Sequence, residues 1–160
     1  MATPTTLPAT FTAGQVLTAA QMNDLRGAFR VLQVVGATTT TSTSTTSATF
    51  VTTTLTATIT PGFTSSKILI ASTQHLWNPT ANTEGDLELQ RGATSIFRQF
   101  PFSSAANNLA VPFTTLILDD PATTSATTYT VNFRRASGAG TLTTQVNSSR
   151  GGIILMEISA

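Results

Sequence analysis

The sequence predicts an all-β protein, an antiparallel jelly-roll-like β-sandwich of about eight strands preceded by an N-terminal arm and a short amphipathic helix. Three observations point there. Threonine, a β-branched residue that suits a pleated surface, occurs 35 times in 160 residues, with 14 serines beside it. From Ala48 onward apolar and polar residues alternate, which is the period of a half-buried strand. Clusters of Gly, Pro, Asp and Asn break these runs at intervals of roughly ten to fifteen residues, as the turns of a sandwich do.

Residues 1–36 read as the arm and helix. Pro4 and Pro8 stand among threonines with too few apolar neighbours to fold alone, so an extended arm is expected. Thr18 and Gln21 have the spacing of a capping box, and Met22, Leu25, Phe29 and Leu32 follow on one helical face, with Gly36 as a stop. Gly27 costs about 1 kcal/mol relative to alanine inside a helix, which leaves open an end before Val31. Residues 37–47 are almost pure Thr and Ser, with no apolar period to set a register; they read as a linker, with a polar edge strand as the alternative.

The sandwich is assigned to residues 48–160. Val51, Thr53, Leu55, Ala57 and Ile59 share one strand face and Thr52, Thr54, Thr56 and Thr58 the other. Pro61-Gly62 closes that strand, and a more apolar one spans 67–77 before Asn78-Pro79. Residues 86–90 and 95–100 make a hairpin around Arg91-Gly92-Ala93. Further strands are expected at 109–118, 127–134, 141–147 and 153–158, the second with Tyr129, Val131 and Phe133 on one face. Pro112 marks an edge or a bulge. Residues 152–158 are apolar on both faces, which suits a central strand or a subunit contact. There is no internal repeat.

Composition narrows function by exclusion. Eight Lys and Arg balance seven Asp and Glu for a net charge of +1, and Lys67 is the only lysine. This is no electrostatic footprint for nucleic acid or an anionic membrane. Without cysteine there is no disulfide, thiolate metal site or Cys nucleophile. The first fifteen residues lack the charged start and apolar run of a secretory signal, and no segment approaches the roughly 20 apolar residues of a membrane span. Synthesis in the cytoplasm without membrane insertion is expected. Gly138-Ala139-Gly140 does not follow a strand and open a helix, so it is no phosphate loop, and no cofactor is predicted. A near-zero net charge favours association.

Two stretches carry a family resemblance. The run from Phe11 to Leu25, FTAGQVLTAAQMNDL, resembles an N-terminal motif of tailed-bacteriophage structural proteins, tail and fibre proteins especially. Downstream, SKILI from Ser66, LDDPATTSATTYTV from Leu118 and ILMEIS from Ile154 are similar to a trimeric, tumour-necrosis-factor-like phage β-sandwich. The resemblance implies a homotrimer on the virion, made in the host cytoplasm, with residues 1–36 anchoring it to tail, baseplate or capsid proteins through Met22, Leu25, Phe29 and Leu32. It implies a tail-fibre or tail-associated role facing the host surface; the alternative is a decoration or cement protein that stabilises the head.

Most of the chemically suggestive side chains have plainer roles. His75, the only histidine, shares a strand face with Leu69, Ala71, Thr73 and Trp77 and reads as a strand residue rather than a general base. Trp77 and Tyr129 could stack on a host-surface glycan, or simply pack. Glu84, Asp86 and Glu88 form the one acidic cluster, which could hold a hard cation or serve a glycosidase, but reads as the solvated side of a hairpin. Asp119-Asp120-Pro121 reads as turn chemistry. Arg134-Arg135 and Arg150 could make a small anion-binding patch, but with Arg91 and Arg98 they are expected instead to pair with Asp86 or Glu88 across subunits. Phe97, Phe100, Phe102 and Phe113 exceed what the inner faces need and are assigned to the trimer interface. Asn147-Ser148-Ser149 matches a glycosylation acceptor without a secretory route to use it. No catalytic residue is predicted.

Overall fold

The computed structural model describes residues 30–104 and 107–159 together with Gly14, Val16, Thr18 and Ala19, and, for 100–104, the backbone alone. Ten strands fill the described chain. They are β1 (Val31–Thr39), β2 (Thr43–Thr45), β3 (Val51–Ile59), β4 (Lys67–Asn78), β5 (Thr83–Arg91), β6 (Thr94–Ser104), β7 (Leu109–Asp119), β8 (Thr127–Ser137), β9 (Leu142–Thr144) and β10 (Gly151–Ile158). All pairings are antiparallel. One sheet runs β1-β10-β4-β9-β2 with β7 on the other side of β4, and the second runs β3-β8-β5-β6.

The pairings nest. β5 pairs with β6, β4 with β7, β3 with β8, and the outermost strands β1 and β2 with β10 and β9. The chain is thus one long folded-over hairpin wound into two layers, which is jelly-roll winding with β1/β2 and β9/β10 each counted as one interrupted run. The expected fold class is correct. The interruption between β9 and β10 is a 3-10 turn, Val146–Ser148, where Gln145, Asn147 and Ser148 take positive φ of 50°, 53° and 57°. It shortens the strand expected over 141–147.

Leu55, Ile59, Ile68, Ile70, Leu76, Leu87, Leu89, Tyr129, Val131, Phe133, Ile153 and Leu155 fill the space between the sheets. Their alternation along each strand is the period that the sequence displays, and Thr52, Thr54, Thr56 and Thr58 are exposed as expected. β10 lies between β1 and β4, which accounts for its two apolar faces, and β7, carrying Pro112, is an edge. Gly92 at φ 56° and Ala93 form the two-residue turn between β5 and β6.

The amino-terminal division differs from the sequence reading. Leu32 lies on β1 rather than on a helix, Gly36 is within that strand, and residues 37–47 hold the end of β1 and all of β2. The polar edge-strand alternative is what forms. Neighbouring strands supply the register that the Thr/Ser run lacks: Ser44 and Thr143 hydroxyls meet at 2.9 Å, Thr39 and Thr54 at 2.7 Å, and Ser42 Oγ donates to the Gln145 carbonyl at 3.0 Å. The sandwich therefore starts at Val31, not at Ala48. Met22, Leu25 and Phe29, and the helix expected of them, lie outside the described residues.

Candidate functional site

Three parts of the sandwich concentrate the side chains that could act. At one corner, β4, β7, β8 and β10 bring together the three downstream segments singled out by resemblance. Tyr129, fully buried, donates its hydroxyl to Asp119 Oδ2 at 2.7 Å. Arg91 Nη1 bonds both Asp119 oxygens at 3.0 Å and the Asp120 carbonyl at 2.8 Å, while Lys67 pairs with the Asp120 carboxylate. Burial and the Asp119 hydrogen bond push the Tyr129 hydroxyl far above its usual range, so it remains a donor. The Lys67 hydrogen bond holds Asp120 below the usual carboxylate value. Asp119 is therefore more than a turn residue, because it ties β5, β7 and β8 together.

The same corner buries Glu157, which is 1% exposed. Burial pushes its carboxyl up, but Gln33 Nε2 at 2.6 Å and the Gly62 N–H at 2.7 Å, with further donors, outweigh that and hold it below the usual value. Gln33 also donates to the Thr60 carbonyl, so this carboxylate binds β1, β10 and the β3–β4 loop. Glu157 stands outside the residues that the sequence pattern singles out. Its signal was a lone acid inside an otherwise apolar strand.

The second concentration is on β5. Asp86 is completely buried and Glu88 is 8% exposed, so they are not the solvated side of a hairpin. Arg98 and Arg134 both pair with Asp86 Oδ2, and both guanidinium groups lie over the Phe50 ring, at 5.3 and 4.9 Å from its centroid. Glu88 accepts from Gln90 Nε2 at 2.7 Å. These arginines thus hold a carboxylate of their own chain, and no subunit contact is required. The arrangement locks β5, β6 and β8 together and leaves Asp86 enclosed, out of reach of a substrate's glycosidic oxygen. Among the described residues no group of three His, Cys, Asp or Glu side chains could hold a metal ion.

The third is the outer face of the first sheet. Opposite residues of antiparallel strands share a face, so the register lays out three rows across β1, β10, β4 and β7. They are Val34-Met156-Leu69-Leu118, Gly36-Ile154-Ala71-Leu116 and Thr38-Gly152-Thr73-Thr114. Val34 is 60% exposed, Leu116 68%, Leu118 59% and Ile154 42%. A hollow of about 410 Å³ lies across the second and third rows, and beyond them come His75 opposite Pro112 and Trp77 opposite Ala110. Gly36, Gly152, Ala71, Thr73 and Thr114 line this open hollow, where glycine and alanine stand in place of larger side chains.

The remaining site expectations divide. Phe113 is 7% exposed and belongs to the core, because its strand position opposite Gln74 points between the sheets; it is not at a subunit surface. Phe97 packs against the same core. Phe100 and Phe102 are on β6, with side chains outside the described residues. Tyr129, buried and bonded to Asp119, is unavailable to a glycan, whereas Trp77 is half-buried on the outer face. His75 shares that face, and its Nδ1 is buried without a hydrogen-bond partner, so no carboxylate orients the ring there as a triad requires.

No family model and no curated protein matches this chain in sequence. In three dimensions it is similar to dimeric latent PorU from Porphyromonas gingivalis, with 11% identity, 68% of this chain and 10% of that one covered, and a TM-score of 0.40. Two infectious bursal disease virus structures are also similar. The Gx strain structure has 14% identity, coverage of 81% and 33%, and a TM-score of 0.44. The VP2 subviral particle has 13% identity, coverage of 80% and 37%, and a TM-score of 0.42. This chain spans 10% to 37% of the length of those chains. Nothing about function follows from likenesses at this level.

Proposed function

We propose that this chain is a non-enzymatic structural protein of a tailed-phage virion, a tail-fibre or tail-associated subunit whose jelly roll faces outward. The observation that carries the reading is the convergence of the three phage-like segments on one corner. SKILI, LDDPATTSATTYTV and ILMEIS are far apart in sequence, yet Lys67, Asp119, Asp120, Tyr129 and Glu157 from them form adjoining networks that hold strands together. The residues that make the sequence look like that family are therefore those that make its sandwich rigid, which is a scaffold's requirement. Assembly with copies of itself, a homotrimer in the resembled family, is part of the reading. So is anchoring to other virion proteins by the segment before Arg30, including Met22, Leu25 and Phe29. Leu32 drops out of that anchor because β1 holds it.

Trp77, on the outer face, is what remains for contact with a host-surface glycan. Repetition over a multi-copy particle would turn weak contacts into avidity. The test is quantitative mass spectrometry of purified virions against the major capsid protein. A few to a few tens of copies are expected for a tail position. Hundreds would replace it with head decoration, and absence from the particle would overturn the virion reading altogether.

A further inference from the structure

We infer that the outer face of the first sheet is a contact between two copies of this chain, related by a twofold axis that runs parallel to the strands between β10 and β4. Such an axis places β1 of one copy over β7 of the other and β10 over β4. In the middle row, Gly36 then lies over the partner copy's Leu116, and Ile154 over its Ala71. Each large side chain meets a small one, and the match is reciprocal, as an isologous contact requires. Among the described residues of the sandwich Leu116 is the most exposed large apolar one, at 68%, and the hollow of about 410 Å³ beside Gly36 is where it would seat.

The neighbouring rows agree. One pairs Val34 with Leu118 and Met156 with Leu69, all apolar; the other pairs Thr38 with Thr114 and Gly152 with Thr73, which matches hydroxyl to hydroxyl at the margin. No ionised side chain stands in these three rows; Lys67 and Asp120 neutralise each other at one rim, and Arg150, two residues before Gly152, stands exposed at the other. Nothing charged is stranded by closing the face. Four strands about 4.8 Å apart stand side by side along Lys67–Thr73 of β4, which at about 3.3 Å per residue gives a face of roughly 450 Å² per copy. Twice that is roughly 900 Å², the size of a weak, concentration-dependent contact, with a multi-copy assembly to supply the concentration. A net charge of +1 sets up little repulsion between copies. The contact is additional to any threefold one.

The chain has no cysteine, so introduced thiols report on this geometry alone. Gly36→Cys and Leu116→Cys are made separately in the full chain. A Cβ at Gly36 meets only the Ile153 carbonyl, at 3.7 Å, so the substitution fits. Packed sheets stand about 10 Å apart, beyond a disulfide and within a short bis-maleimide, whereas like positions on the two copies would be about 17 Å apart. Treating the mixed variants with the bis-maleimide should give a two-chain product at least ten times more abundant than from either variant alone. In light scattering, Leu116→Glu should halve the mass of the native assembly while thermal unfolding stays cooperative. A mixture that yields no cross-link, as when another protein or the segment before Arg30 covers the face, overturns the contact, and so does an unchanged mass in Leu116→Glu.

Discussion

Glu157 shows how a single side chain can be destabilising in isolation and stabilising in context. Its burial alone would raise its proton affinity, and the donors from Gln33 and Gly62 reverse that. Because the folded-state value lies below the unfolded one, the unfolded chain binds more protons in mildly acidic solution. The stability this group contributes is complete above the usual carboxylate range and is lost as pH falls through the lower, folded-state value. Glu157→Gln should therefore lower the melting temperature at neutral pH and flatten its fall on acidification; melting scans between pH 7 and pH 3 measure both. A slope equal to that of the native chain would mean that other carboxylates dominate the acid limb.

Elements are joined here by turns that leave little room. Gly138, just after β8, has φ 83°, and a Cβ built on it would stand 2.3 Å from the Asn82 carbonyl oxygen and 2.6 Å from the Thr83 Cα. Both the backbone conformation and the contact with another backbone demand glycine. Gly138→Ala should cost at least about 1–3 kcal/mol, because the β5 end and the β8–β9 turn must separate. Gly92→Ala, where nothing lies within 4 Å, isolates the conformational term and should cost less. Chemical denaturation of both variants gives the comparison. Turn chemistry at Ser137-Gly138-Ala139-Gly140 was legible in the sequence, but the closeness of Asn82 and Thr83 was not, since they are distant along the chain and adjacent only in the fold.

At the scale of the molecule, the two faces of β7 have opposite fates. Phe113 points between the sheets and Leu116 points out. Phe113→Ala should cost about 3–5 kcal/mol, as truncations of a buried phenylalanine do. The expected reduction in denaturation midpoint should occur without a change in oligomer mass. Leu116→Glu should do the converse. An assignment of Phe113 to a subunit interface, attractive from the four phenylalanines around Pro101 and Pro112, ignores that an edge strand packs one of its faces on the core.

The sequence by itself determined the all-β class, the alternation that decides which side chains face inward, the turn positions, and the absence of disulfide chemistry. These depend on neighbours a few residues apart. Tertiary structure decided what depends on partners far along the chain. β1 and β2 exist as strands because β10 and β9 give a register to a Thr/Ser run that has none of its own. Asp86 is sealed by Arg98, Arg134 and Phe50 from other elements, and Asp119 is claimed by Tyr129 and Arg91. The rows of the outer face appear only once four strands, drawn from both ends and the middle of the chain, lie side by side.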